Sequence, residues 1–188
     1  MNSVTTNNNA QETLKNPVSQ DTVTFVKTAK ETRGQVTETV VTLGPGNGVP
    51  LYEHSAFAET FTALEGTLGI QLGRKPLSVS PGESYTVPVG AIHRFYNPTA
   101  QRISFKTELR PGHQGHEDML RIMYGLAQDG QVNKQGIPKD FVTLVLLADM
   151  GDVRMAGVFA LFNPFFKRII RRARKKGLER TLLQTYCR

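Results

Sequence analysis

A chain of 188 residues, 39% of them apolar, can bury one core of barrel size with extensions at its ends, and it contains no run of about 18 uncharged apolar residues, so no transmembrane helix is predicted. Its lone cysteine, Cys187, rules out an internal disulfide and suits a reducing cytoplasm. The net charge of +7 is misleading, because residues 164–188 alone carry +8 and leave about −1 for the other 163 residues, so the basicity belongs to one tail.

The first twenty residues, MNSVTTNNNAQETLKNPVSQ, have neither a basic start nor an apolar centre and do not read as a signal peptide. Their Asn, Gln, Ser and Thr content predicts a disordered tail over residues 1–21. From Thr22 the pattern is β, with short β-branched runs that place Val23, Phe25, Val36, Val40 and Val41 in alternation. The turn cluster Gly44-Pro45-Gly46-Asn47-Gly48 follows. Strands are then expected at Glu59–Leu64 and Thr67–Leu72 around a Glu65-Gly66 turn, and at Leu77–Val79, Ser84–Val87, His93–Tyr96 and Arg102–Leu109. Short strands punctuated by Gly and Pro indicate a sandwich or barrel over residues 22–110. Phe57, Phe61, Tyr85, Phe95 and Phe105 are expected in its core.

Beyond Arg110 the period becomes helical, which assigns residues 111–188 to a helical extension. Glu117–Ala127 puts Leu120, Met123, Tyr124 and Ala127 on one stripe, and Asp140–Met150 does the same for Phe141, Leu144, Val145 and Ala148. Ala156–Phe162 is apolar on most sides, and Asn163-Pro164 starts a final helix over Pro164–Gln184. That helix sets Phe165, Phe166, Ile169, Ile170, Ala173, Leu178 and Leu182 against seven cations between Lys167 and Lys176. Such a basic amphipathic helix can pack its stripe on the barrel or a second subunit, or lie on a membrane surface with its apolar side in the headgroups. Nucleic acid is disfavoured as a partner, because no aromatic platform interleaves the cations.

Two stretches carry chemistry. One runs Gly46, five residues, Tyr52-Glu53-His54, four residues, Glu59, six residues, Gly66; the other runs Gly82, five residues, Pro88-Val89-Gly90, two residues, His93, three residues, Asn97. Tyr52 and His54 lie two apart and project to the same side of a strand, Glu59 opens the next strand, and the Pro-x-Gly bend returns a separate strand at His93. This pair of stretches resembles the two motifs of the cupin superfamily, in which two His, one Glu and a third His bind a divalent metal. The resemblance implies a mainly β protein, a double-stranded β-helix of the jelly-roll kind with C-terminal α-helices, and metal ligands at His54, Glu59 and His93. Tyr52 stands where the family has its first His. It can serve as a fourth, phenolate ligand or fill the cavity and hydrogen-bond elsewhere.

Two imidazoles and a carboxylate suit Fe, Mn, Zn, Ni or Cu and leave positions open for water or substrate. The expected function is a cytoplasmic, dimeric cupin that binds a small organic molecule beside such a metal, either as a metal-dependent enzyme such as an oxygenase or as a non-catalytic binder. His113 and His116 have metal-ligand spacing but read as an exposed turn entering the helix begun by Glu117 and Asp118. Asn97 is expected to satisfy backbone groups in the turn before Pro98. A catalytic role for Cys187 is not expected so close to a fraying end.

Overall fold

In the computed structural model, residues 11–155 and 163–187 are described. Ten strands come first: β1 (Thr13–Lys15), β2 (Thr22–Lys27), β3 (Thr37–Leu43), β4 (Tyr52–Glu53), β5 (Ala58–Glu65), β6 (Leu68–Leu72), β7 (Lys75–Val79), β8 (Ser84–Val87), β9 (His93–Tyr96) and β10 (Ile103–Arg110). They are followed by α1 (Gln114–Gln128), α2 (Phe141–Met150), β11 (Arg154–Met155), α3 (Asn163–Lys175) and α4 (Leu178–Tyr186). One antiparallel sheet has the order β1-β2-β3-β10-β5-β8 and the other β11-β4-β9-β6-β7. This is the double-stranded β-helix with C-terminal helices that the strand pattern and motifs imply.

Alternation along the strands decides which side chains face inward. Glu59, Phe61 and Ala63 of β5 are buried, as are Ile103, Phe105, Thr107 and Leu109 of β10, and β5 and β10 run beside each other with Phe105 opposite Ala63. The barrel core gathers Val23, Val41, Leu43, Phe61, Leu68, Ile70, Val79 and Val87 around them. Asn97 plays its expected part: its amide donates to the carbonyls of Gly44 (2.9 Å) and Gln101 (2.7 Å) while its oxygen accepts from Thr99.

A second core lies among the helices, where Ile122, Leu126, Leu146, Leu147, Met150, Ile170, Ala173 and Leu182 meet. Helix α1 is sandwiched between the two: Leu120 and Tyr124 pack on the barrel core, and Ile122 and Leu126 on the helical one. A stripe of Leu120, Met123, Tyr124 and Ala127 therefore captures only part of its contacts. In α2 the stripe expected from sequence is out of phase. Thr143, Leu146, Leu147 and Met150 are the buried positions, while Phe141 is 51% exposed. The segment is apolar on nearly every side, so its own pattern cannot choose the face.

Two further differences separate the structure from the sequence reading. Residues 13–15, placed in the tail, form β1 against β2, and Glu12 pairs with Arg121 of α1 at 2.9 Å. Residues 1–10 and the apolar segment 156–162 lie outside the described residues. The single helix over Pro164–Gln184 is two helices, because Gly177 takes φ +79°, a left-handed conformation that ends α3 and turns the chain into α4.

Asp140 caps α2, accepting from the Thr143 N–H and hydroxyl at 2.7 Å each, and these bonds lower its carboxyl below the usual value. Its stabilisation is present above the unfolded value of 3.8 and is lost as pH falls through the folded one. Asp140→Ala is therefore expected to cost about 1 kcal/mol at neutral pH. In urea titrations repeated at successive pH values, that gap should close only below pH 3.8.

Candidate metal centre

Tyr52 opens β4, His54 follows it by two, and the β4–β9 pairing sets Tyr52 opposite His93. These three rings come from the five-stranded sheet, and Glu59 reaches them from β5 in the six-stranded one. Burial is nearly complete, with relative exposures of 7% for Tyr52, 3% for His54, 4% for Glu59 and 1% for His93. Oε2 of Glu59 is the meeting point: Nε2 of His54 lies 3.4 Å away, Nε2 of His93 3.3 Å away, and the Tyr52 hydroxyl donates to it at 3.3 Å. All four expected site residues are thus brought together. Tyr52 makes its contact through the carboxylate, as a hydrogen-bond donor.

The tautomers follow from what surrounds the rings. Nδ1 of His54 lies 2.7 Å from the Asp152 carbonyl, and Nδ1 of His93 lies 2.8 Å from the Ala91 carbonyl. A carbonyl only accepts, so each Nδ1 carries the proton and donates. In a neutral imidazole, Nε2 then holds a bare lone pair. Both lone pairs face the carboxylate, and Nε2 of His54 is buried with no hydrogen-bond partner.

This arrangement tests whether a cation fits. Lone pairs converging in a buried space repel unless something positive lies among them. Protonating both imidazoles would bury two positive charges against one carboxylate, at a desolvation cost of several kcal/mol per ion. A divalent cation shared by the three donors satisfies all of them. The three ligand atoms lie within 4.8 Å of one another, and among the described residues this is the group of His, Cys, Asp and Glu that can converge on one ion. Burial alone would raise the Glu59 carboxyl; imidazoles protonated at Nε2 would hydrogen-bond to it and hold it at about 2, and with both Nε2 atoms bare a cation would take that part. Burial and the neighbouring carboxylate push the Tyr52 phenol well above its usual value.

The supporting layer comes from the helical extension, and the sequence reading missed it. Besides holding His54, Asp152 places its carboxylate on the N–H groups of Ser55 and Ala56, both at 2.6 Å, and on the Ser55 hydroxyl at 2.7 Å. It does so with φ +50°, a conformation that Asp tolerates better than most residues. Strand β11 next to it pairs with β4, Met155 opposite Tyr52. A two-residue strand arriving from nearly 100 residues away has no periodicity to reveal it; the Gly151-Asp152 pair after a helix was the available signal, and it marks only a turn.

His113 and His116 are also more than an exposed turn. His113 caps α1, its Nδ1 accepting from the His116 N–H at 3.0 Å. The half-buried His116 ring lies 5.5 Å from that of His54, and its Nδ1 is 3.0 Å from the Gly151 carbonyl. Burial, reinforced by His54, lowers His116 to about 4 and keeps it neutral. Helix α1 comes this close because residue 115 is glycine: a Cβ there would sit 2.2 Å from the Met150 carbonyl oxygen. The α1 N-terminus and the Gly151–Asp152 turn thus cap the mouth of the barrel over the His54 side.

Asp152→Ala removes three accepted bonds and puts alanine in left-handed backbone, so a loss of about 3 kcal/mol is expected in chemical denaturation. Asp152→Asn keeps the backbone preference and is expected to lose less than half as much. Cys187 is half-buried against the helical core, and burial pushes its thiol up to about 11.

Compared with known proteins, residues 39–106 match the family model described as Cupin domain. No curated protein matches the chain. Among solved structures, a predicted oxalate decarboxylase from Thermotoga maritima aligns at 16% identity and TM-score 0.48, over 54% of this chain and 91% of that one. A cupin-superfamily sugar phosphate isomerase from Silicibacter pomeroyi aligns at 19% identity and TM-score 0.46, over 54% and 71%. A protein from Thermus thermophilus aligns at 23% identity and TM-score 0.40, over 42% and 74%. None of these likenesses bears on the reaction.

Proposed function

The chain belongs to the cupin superfamily, and on that footing we propose that its barrel holds one divalent transition-metal ion on His54, Glu59 and His93 and binds a small organic molecule beside it. The observation that carries this reading is the unpartnered, buried Nε2 of His54, aimed with Nε2 of His93 at the carboxylate of Glu59. Two imidazoles and one carboxylate match the donor set of non-haem iron enzymes and also accept Mn, Zn, Ni or Cu. A bound ion would supply Lewis acidity or oxygen activation at its open positions.

The chain's own residues do the rest. The carbonyls of Asp152 and Ala91 fix both imidazoles in the ligating tautomer. Glu59 would neutralise part of a bound ion's charge, and Tyr52 holds that carboxylate through its hydroxyl. Phe57 and Phe61 wall the site with apolar rings, at 4.2 Å from His54 and 6.1 Å from His93 between centroids.

A second reading rests on Tyr52. Its hydroxyl occupies the neighbourhood of the carboxylate where the family pattern has a His, which favours a non-catalytic barrel without metal. Elemental analysis separates the two. The full chain, incubated with each of Fe(II), Mn(II), Zn(II), Ni(II) and Cu(II) and then desalted, is expected to retain one equivalent of at least one of them. Retention of none overturns the metal reading and leaves the second.

A further inference from the structure

Helix α3 has two faces with different fates. Ile170 and Ala173 are buried in the helical core and Phe166 packs beside them, so the apolar stripe is spent inside the protein. It cannot also lie in a headgroup layer. The opposite face carries Lys167, Arg168, Arg171, Arg172 and Lys175, with Lys176 just beyond, all exposed. Among the described residues none of these six has an ion-pair partner, whereas Arg174 meets Asp149 at 3.0 Å and also Glu179.

Elsewhere some cations are paired, and those without an ion pair among the described residues, such as Arg33, Arg74 and Lys75, do not form so long a row. Lys27 pairs with Glu38, Lys106 and Arg110 with Glu108, and Arg121 with Glu12 and Asp118. Along α3, Arg168, Arg171, Arg172 and Lys175 line one shallow groove at spacings of three and four, where like charges destabilise one another. An opposing anionic surface relieves that repulsion.

At the start of the same helix, Phe165 is 58% exposed and Phe141 of α2 51% exposed, flanking Phe166 at ring distances of 6.1 and 6.2 Å. We propose that the outer face of α3 docks the protein on an anionic lipid surface, with Arg168, Arg171, Arg172 and Lys175 over the headgroups and Phe165 and Phe141 dipping among them. Clustered exposed phenylalanines at one end of a cationic ridge fit a headgroup layer, which is wet outside and apolar just beneath. A cationic ridge also attracts phosphates of nucleic acid, but here the exposed rings stand together at one end of the ridge and do not interleave with the cations as a base-stacking platform does. No described helix is long and apolar enough to cross a membrane, so the association is peripheral. It stands independently of the metal reading.

The test is sedimentation of the full chain with vesicles of phosphatidylcholine, with and without phosphatidylglycerol, at low and high salt. Each cation near an anionic surface contributes about fivefold. The quadruple variant Arg168→Gln, Arg171→Gln, Arg172→Gln, Lys175→Gln is therefore expected to bind anionic vesicles about six-hundredfold more weakly, with a thermal midpoint no lower than the parent's. Phe165→Ser is expected to lose about tenfold while keeping the salt dependence. Equal binding to neutral and anionic vesicles, or equal binding by parent and quadruple variant, overturns the proposal. So does tighter binding to a short RNA or DNA duplex than to anionic vesicles at the same salt, which assigns the ridge to nucleic acid.

Discussion

His93→Ala is expected to abolish stoichiometric metal retention. Loss of an outer-layer partner costs about 10–100-fold in metal affinity, and loss of one of only three donors should exceed that. The measurement is calorimetric titration of metal into the full chain, with thermal unfolding as a second readout. Metal at a hundred times its dissociation constant should stabilise the parent by about 2.7 kcal/mol, and that gain should vanish in the variant. Tyr52→Phe gives the contrast. If the hydroxyl serves to hold Glu59, its removal costs about tenfold and leaves one equivalent bound. A Tyr52→Phe loss as large as that of His93→Ala would instead make the phenol a ligand. An unaltered metal-induced stabilisation in His93→Ala would remove the centre altogether.

Glu117→Ala is expected to cost as much stability as Asp152→Ala. This carboxylate is fully buried, and its Oε1 accepts from the Ala29 N–H and the Thr37 hydroxyl, both at 2.6 Å. The Thr37 oxygen in turn accepts from the His113 N–H at 3.0 Å, so one residue ties α1 to β3 and to the approach of that strand. Alanine leaves two buried donors unpaired and opens a gap, at a cost of about 3 kcal/mol, or roughly 10 °C in thermal midpoint. Because the clamp also seats His113 and His116, the variant should loosen the cap, read as faster amide exchange in the first turn of α1.

Glu117→Gln preserves the oxygen and is expected to cost far less. Its pH dependence has a definite sign. Burial raises the Glu117 carboxyl, partly countered by its hydrogen bonds and by Arg121 at 3.8 Å, so the folded value exceeds the unfolded 4.5. The protonated group stabilises the fold below 4.5, and this contribution is lost as pH rises through the folded value. Glu117→Gln has no such charge to bury, so it should gain on the parent between acid and neutral pH. A constant difference across that range would show that Glu117 is no harder to ionise folded than unfolded.

The strands between residues 58 and 110 were legible because alternation and turn residues are local. The strands expected at Glu59–Leu64, Thr67–Leu72, Leu77–Val79 and Ser84–Val87 are found within about two residues of those bounds. The positions of His54, Glu59 and His93 could be read for the same reason, since each sits at a countable distance from a glycine or proline that bends the chain. The stripe on α2 was not legible. A helix apolar on all sides packs by what surrounds it, and α2 turned Phe141 outward while burying Thr143 beneath its own Asp140 cap. The continuous C-terminal helix was misread because a glycine inside a helical pattern is tolerated as often as it breaks one.

Taken alone, the amino-acid order determined a sandwich or barrel and a cationic tail, because each rests on short-range spacing, while the likeness to the cupin motifs supplied the jelly-roll topology and the three candidate donors. What decided the character of the mouth came from elsewhere in the chain. Asp152 gripping His54, His116 lying beside it and Glu117 locking the helix in place are contacts between residues 35 to 98 positions apart, and no local period encodes them. Likewise the balance of charges named α3 as basic, but only the packing of Ile170 and Ala173 into the helical core settled which side of it faces outward.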